Sequence, residues 1–227
     1  MFRRRRRGDE ASTPDHGPEP VEDSGAALET VGKSDRSGGP YDAAEVDLDE
    51  ARRGRIDLGG LLIKPVAGMK MQLQVDKRSG NATSVVLTVD EAAVQLVAVA
   101  APRSSGLWEQ TRLQIAEDAK RRGGRHEEAP GPFGTEMRLV VPVQSPEGKQ
   151  VLQPSRVSGI DGPRWMLRAT FLGKATTDAS VFQQLAALVR QVVVVRGAGP
   201  MPPGDVITLK PPPDSQSGAG GGEPLQA

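Results

Sequence analysis

The chain has 227 residues, and its 29 basic and 29 acidic side chains give a formal net charge of zero. It has no cysteine, which excludes disulfides, thiolate metal sites and cysteine nucleophiles, and which fits the reducing cytosol that we expect as its location. The neutrality is a cancellation, because residues 1–7 carry five arginines, residues 8–50 carry thirteen acids against two bases, and residues 56–210 carry 19 bases against 14 acids.

Residues 1–55 and 211–227 are predicted to be disordered tails. The first is basic over residues 1–7 and acidic over residues 8–50, and the second is rich in Pro and Gly. Such segments bury too little apolar surface to offset the entropy lost on ordering. Residues 41–56 are the exception, since they have enough apolar side chains for a short acidic piece to dock. No apolar run approaches the roughly 20 residues that span a bilayer, and no apolar stretch follows the arginines as in a signal peptide.

The first half of the predicted domain, residues 56–210, reads as strands followed by a helix. Residues 60–64 are predicted to form a short strand that ends at Pro65, and residues 69–75 alternate apolar and polar, as in a strand with one buried face. A turn then leads to a second strand at residues 84–89 and a third at residues 93–100.

The helix of this first half begins after Gly106. It places on one face Leu107, Trp108, Thr111, Ile115 and Ala119. Basic residues followed by Gly123 and Gly124 predict its end. His126 comes next, in what we predict to be a loop, so it is interpreted as a solvated histidine and not as a catalytic base.

The second half repeats this order. Residues 136–143, 150–160 and 165–172 are predicted strands, and Thr177 or Asp178 caps a second helix with an apolar stripe that ends at Val192. Residues 193–195 are predicted to form a short buried strand, and residues 206–209 an edge strand of the sheet. We predict an α+β fold in which two amphipathic helices pack on one mostly antiparallel sheet of about six to eight strands. The repeated order is compatible with a degenerate duplication of a βββα unit within this fold, and the alternative is that any α+β fold alternates strands and helices in this way.

Few residues point to catalysis, and we predict no cofactor and no metal site. The glycine-rich segments lack the lysine and hydroxyl residue of a phosphate loop, and no nucleophile elbow accompanies His126. The enzyme hypothesis therefore rests on carboxylates and arginines around a shared pocket, namely Glu128, Glu136, Arg138, Arg164 and Arg168. Strand alternation puts Glu136 and Arg138 on one face, and Arg164 and Arg168 on one face.

The candidate contacts for a partner or ligand are Trp108, Glu136, Arg138, Arg164, Trp165 and Arg168. Both tryptophans are expected in the core, and an exposed one would become a binding hot spot. The candidate contacts for a polyanion are Arg3, Arg4, Arg5, Arg6, Arg7, Lys120, Arg121, Arg122 and Arg125. Nucleic acid is weakly supported, because aromatic residues make up only 3% of the chain and the acidic segment competes for the arginines. The arginines at residues 3–7 also suit an anionic membrane surface.

Four segments together resemble one family. They are Ala-Pro-Arg-Ser-Ser-Gly-Leu-Trp at residues 101–108, Gly-Pro-Phe-Gly-Thr-Glu at residues 131–136, Asp-Gly-Pro-Arg-Trp-Met-Leu-Arg at residues 161–168, and the apolar run at residues 192–197. The chain resembles domain of unknown function 3710 (DUF3710) of high-G+C bacteria over residues 57–209. This resemblance implies domain boundaries, but no activity or cofactor.

The leading hypothesis from the sequence is a non-enzymatic, cytosolic protein-interaction module with charged disordered arms. Its partner is an unknown protein. A nucleic-acid-associated protein and the carboxylate–arginine enzyme are the alternatives.

Overall fold

The computed structural model describes residue 36 and residues 38–103, 106–145 and 147–212. Their strands are β1 (Tyr41–Asp42), β2 (Ile56–Asp57), β3 (Leu61–Ile63), β4 (Lys70–Val75), β5 (Ala82–Val89), β6 (Ala92–Ala100), β7 (Arg125–Gly131), β8 (Gly134–Gln144), β9 (Gln150–Gly162), β10 (Trp165–Gly173) and β11 (Val193–Val194). The α-helices are α1 (Leu48–Arg53), α2 (Leu107–Arg121) and α3 (Ala179–Arg190), and 3-10 turns occur at Ala43–Glu45 and Lys174–Thr176.

Seven strands form one antiparallel sheet in the order β4-β5-β6-β10-β9-β8-β7. This confirms the predicted α+β class and the mostly antiparallel sheet of six to eight strands. A separate four-stranded sheet has the order β1-β11-β3-β2, in which β1 runs parallel to β11. Two of its strands were predicted, at residues 60–64 and 193–195, but their assembly into a sheet of their own was not. Strands β1 and β2 have two residues each, which is too short to show a period.

Alternation along the strands sorts side chains between two different layers. In β10, Leu167 and Phe171 belong to the large core beneath α3, whereas Met166 belongs to the cluster beneath α2. The two helices therefore cover opposite faces of the large sheet. If the two halves were duplicates, antiparallel β6 and β10 would be related by a two-fold axis perpendicular to the sheet. Such an axis would place both helices on the same face, which is not observed. The second half also has four strands, so the structure does not support a duplicated βββα unit.

Helix α3 is positioned by its cap and its apolar stripe. Asp178 accepts hydrogen bonds from the backbone N–H groups of Ser180 and Val181 at 2.9 and 3.1 Å, so it satisfies donors that the first turn leaves free. Phe182 then packs edge-on against Phe171 of β10, with ring centroids 4.8 Å apart. The small sheet lies on the same side, because Leu61 and Val194 share this core.

Helix α2 is docked by its tryptophan. The Trp108 ring lies flat on Gly159 of β9, where an added Cβ would be only 2.1 Å from the ring. Its indole Nε1–H donates to the Thr135 carbonyl oxygen at 2.8 Å, which satisfies the polar edge of a buried ring. Glycine at position 159 is therefore required by close approach.

Residues 125–131 are an edge strand, so the predicted loop around His126 is wrong. His126 lies in β7 opposite Leu139 of β8. The segment carries charged residues and Pro130 because it pairs on one side only, and an edge strand lacks a clear apolar alternation.

Residues 38–55 are part of the fold, although the predicted tail boundary at residue 55 placed them outside the domain; residues 41–56 were the expected exception that docks. The Trp165 indole donates to Asp42 Oδ2 at 2.6 Å, and Arg55 Nε donates to the Gln191 carbonyl oxygen at the end of α3 at 3.2 Å. Ala51 is buried with Leu62 on the outer face of the small sheet. The few apolar residues of this segment suffice because each meets a preformed apolar face. The remaining tail residues, 1–35 and 213–227, lie outside the described residues.

Candidate binding cleft

A cleft of about 660 Å³ lies between α2 and the large sheet. We call it the α2 cleft. Helix α2 covers β7, β8 and β9, and the cleft opens where its cover ends, toward β10 and β6. The residues that line it are Gln95, Thr111, Gln114, Ile115, Asp118, Ala119, Arg121, Arg122, Leu139, Val141, Val143, Gln153, Ser155, Val157, Arg168, Thr170 and Leu172.

Arg168 of β10 is the central charged residue on the sheet side of this cleft. It faces the α2 side of the sheet, as Met166 does. Burial lowers the pKa of the Arg168 guanidinium, since low-polarity surroundings disfavour the charged form. Within the part of the chain that the structure describes, Arg168 has no ion-pair partner and no hydrogen-bond acceptor.

The other shielded arginines of the described chain have partners. Arg112 pairs with Glu128 at 2.5 Å, and Arg156 pairs with Glu136 at 2.7 Å. Arg190 donates to the Pro132 carbonyl oxygen at 2.8 Å and lies over Phe133. Arg168 thus differs from them, because it is partly buried with its donors unused.

The walls around Arg168 combine two chemistries. Leu139 and Val141 of β8 face Ile115 of α2 and form an apolar side, while Gln95 and Thr170 supply polar groups next to the guanidinium. Such a mixed lining suits a ligand that brings one anionic group and some apolar surface.

The basic cluster at the end of α2 is largely neutralised. Lys120 pairs with Glu117 at 3.0 Å, and Arg121 pairs with Asp118 at 2.7 Å. Arg122 lies 3.9 Å from the same aspartate. Arg125 is exposed on β7. Three of these four predicted polyanion contacts lie within ion-pair distance of Glu117 or Asp118, and Arg125 has no ion pair among the described residues.

The other predicted polyanion contacts are Arg3, Arg4, Arg5, Arg6 and Arg7, and they lie outside the described residues.

The five residues of the enzyme hypothesis do not meet around one pocket. Glu136 and Arg138 share a face as predicted, but it is the α3 face, where Glu136 Oε1 accepts from Arg138 Nε at 3.1 Å and from Arg156 Nε at 2.9 Å. Glu128 lies on β7 and forms an ion pair with Arg112 of α2. Arg164 lies in the exposed turn between β9 and β10, with φ at 63°.

Three predicted partner contacts are inaccessible. Trp108 and Trp165 expose 5% and 0% of their surface, and Glu136 exposes 0%. Each is held inside the fold by a specific hydrogen bond or ion pair, so none of them is available to a partner. Arg138 and Arg164 remain at the surface, and Arg168 lines the cleft.

Sequence reasoning missed most of the cleft lining. Gln95 and Thr170 are polar residues in the strongly apolar strands β6 and β10, which was the available signal, whereas Ser155 belongs to the more polar strand β9. That signal becomes a site only when β6, β9 and β10 are neighbours, as the sheet order makes them.

Asp161 of β9 anchors the start of α2, the helix that covers the cleft. Its carboxylate accepts a hydrogen bond from the Trp108 backbone N–H at 3.3 Å, and Gly106, the residue before the helix, offers no side chain for this role. Burial raises the pKa of Asp161, and the backbone donors of Trp108 and Gly106 oppose that change.

We predict that Asp161→Asn changes how stability depends on pH. Because the folded-state pKa of Asp161 is raised, the folded state binds the proton more tightly, and this contribution to stability is lost as pH rises through the raised pKa. The free energy of unfolding of Asp161→Asn minus that of the unmodified chain should therefore increase as pH rises, so the variant becomes relatively more stable. Urea titrations between about pH 4 and about pH 7 measure this difference, and a constant difference would contradict the prediction.

The fold and cleft define an α+β protein in which helices cover both faces of an antiparallel sheet and an open cleft presents one partly buried arginine. The chain belongs to the family described as "Protein of unknown function (DUF3710)", whose model matches residues 39–218. This confirms the resemblance drawn from the sequence. No curated protein gives a significant match.

In residues 36, 38–103, 106–145 and 147–212, none of the helices has the length and apolar character needed to cross a membrane. The same residues contain no group of three or more His, Asp or Glu side chains arranged to hold a metal ion.

Proposed function

We propose that this protein is a non-enzymatic binding module that takes an acidic, partly apolar segment of a protein partner into the α2 cleft. The observation that carries the proposal is Arg168, a partly buried guanidinium without a partner among the described residues. A carboxylate of the partner would pair with Arg168, and aliphatic side chains beside it would pack on Leu139, Val141 and Ile115.

The energetics favour a ligand that brings a negative charge. A guanidinium removed from water without a counter-charge is costly, and a bidentate carboxylate restores the lost hydrogen bonds in a site where they are stronger than in water. The partner's carboxylate thus supplies the counter-charge that the described residues do not give Arg168. A purely apolar ligand would bury Arg168 further and raise that cost.

The alternatives have less support. Glu128 and Glu136, the carboxylates of the enzyme hypothesis, do not line the cleft. Asp118, the one acidic residue that lines the cleft, pairs with Arg121. Nucleic acid binding through the end of α2 would have to compete with the surface pairs of Lys120 with Glu117 and of Arg121 with Asp118. A cytosolic location and charged flexible arms remain predictions from the sequence.

A displayed library of random peptides, selected on the full chain, tests the proposal. We expect enriched peptides to carry Asp or Glu next to aliphatic residues, and Arg168→Gln to weaken their binding by about 10- to 100-fold, the value of a charge-assisted hydrogen bond. Arg164→Gln is the matched control, because it removes an exposed arginine four residues away and should leave affinity unchanged. Enriched peptides that bind Arg168→Gln as well as the unmodified chain would overturn the assignment.

A further inference from the structure

The two edges of the large sheet differ in how they are protected. At one edge, β7 exposes Arg125, Glu127 and Glu128 and contains Pro130, which has no N–H to offer another strand. At the other edge, β4 has the sequence Lys-Met-Gln-Leu-Gln-Val, in which only Lys70 is charged. Edge strands without such protection are templates for pairing with another chain.

The backbone of β4 has a defined set of outward-pointing groups. Asp76, just after β4, donates its backbone N–H to the Asn81 carbonyl oxygen at 2.9 Å, so this N–H points toward β5. Alternation then turns the N–H and C=O groups of Met71, Leu73 and Val75 away from β5. The register irregularity in this hairpin adds its extra residue to β5, so β4 keeps its alternation.

The sequence of β4 is complementary to itself when two copies run antiparallel. With Leu73 opposite Leu73 of a second copy, Lys70 stands opposite Asp76, and Gln72 stands opposite Gln74. Both of these pairs lie on the α2 face, as shown by the hydrogen bond from Gln95 Nε2 to Gln74 Oε1 at 2.6 Å. Opposite charges at facing positions stabilise an antiparallel pair, and the two-fold symmetry makes the Lys70–Asp76 pair occur twice.

The apolar face has the same complementarity. Met71 and Leu73 are half-buried against the α3-side core, while Val75 exposes 57% of its surface. In the self-paired register Met71 of one copy faces Val75 of the other, so the exposed valine gains an apolar neighbour. A register shifted by one residue would set Lys70 against Val75 and lose both arrangements.

We propose that two copies of this chain associate through antiparallel pairing of β4 with β4, which joins their sheets into one continuous fourteen-stranded sheet. The partner at this edge is a second copy, because residues 70–76, which are β4 and the next residue Asp76, supply both members of the charge pair, the glutamine pair and the apolar pair. This edge adjoins the α2 cleft at Gln95, which lines the cleft and donates a hydrogen bond to Gln74 of β4.

Cysteine cross-linking of the full chain tests this register, since the chain contains no cysteine of its own. Facing Cα atoms of an antiparallel pair lie about 4.5–5.5 Å apart, within disulfide range. Leu73→Cys should therefore form a disulfide-linked dimer under mild oxidation. Val75→Cys is the matched control: it is the more exposed position, but the proposed register separates its two copies by about 13 Å, so it should remain a single chain.

Sedimentation or light scattering of the unmodified chain supplies the second measurement. We expect a particle of twice the 24.0 kDa chain mass. Lys70→Glu, which places a carboxylate opposite Asp76 in both halves, should raise the dissociation constant at least tenfold and leave circular dichroism unchanged. A single-chain mass at about 100 µM, or equal cross-linking of Val75→Cys and Leu73→Cys, would overturn the proposal.

Discussion

Glu136→Ala is expected to lower the free energy of unfolding by about 3–5 kcal/mol, the cost of removing one member of a buried ion pair. Glu136 is fully buried and accepts from both Arg138 and Arg156. Arg156, whose side chain is only 16% exposed, also lies 3.3 Å from the Phe182 ring centroid. Without the carboxylate, its charge stays between β9 and α3 with no counter-charge.

Urea titration measures this loss, and two variants calibrate it. Glu136→Gln keeps the shape and one acceptor, so it should cost less, about 1–3 kcal/mol. Glu91→Ala removes a carboxylate that is 81% exposed and lies 3.8 Å from Lys174, and a surface pair of this kind should change stability by less than about 1 kcal/mol. Equal losses for Glu136→Ala and Glu91→Ala would refute a structural role for the buried carboxylate.

Gly159→Ala is expected to cost about 3 kcal/mol, at the upper end of the usual range for overpacking. The new methyl group would lie 2.1 Å from the Trp108 ring, so the ring must leave its place on β9. The bond from the indole to Thr135 would be lost with it. Because Trp108 holds α2 against the sheet, the same change should widen the α2 cleft and weaken the binding of a ligand to Arg168.

Thermal or urea unfolding followed by tryptophan fluorescence reports both effects of Gly159→Ala. The control is Gly199→Ala, because no atom lies within 4 Å of a Cβ at this position and its φ is not positive. That variant should change stability by no more than about 0.5 kcal/mol. A Gly159→Ala protein with unchanged stability and unchanged fluorescence would show that the ring has room to move.

The cleft and the buried ion pair use arginine in opposite ways. Arg156 has its counter-charge within the chain, in Glu136, so it holds the fold together. Arg168 lies on the opposite face of the sheet, and the described residues give it none. This difference separates a structural arginine from a binding one, and composition alone does not reveal it.

Local patterns in the sequence predicted most of the regular structure. The alternation at residues 69–75, the apolar face of the Trp108 helix and the cap at Asp178 each depend on neighbours within a few residues, and each appears in β4, α2 and α3. They also sufficed to predict an α+β fold and the family. Residues 125–131 were not predicted as a strand, because an edge strand has no second neighbour that requires alternating apolar and polar residues.

What the chain order alone could not decide is which strands become neighbours. The sheet places β10 beside β6, although about 65 residues separate them, and this pairing forms the sheet side of the α2 cleft around Arg168. In the assembled fold Glu136 lies on the α3 face with Arg156, and both tryptophans are buried. The sequence by itself determined the two long helices and most of the longer strands, with their polar and apolar faces, because those follow from local periodicity. The tertiary structure decided which faces meet and which arginine is left without a counter-charge, because charge pairing and burial depend on contacts between distant segments.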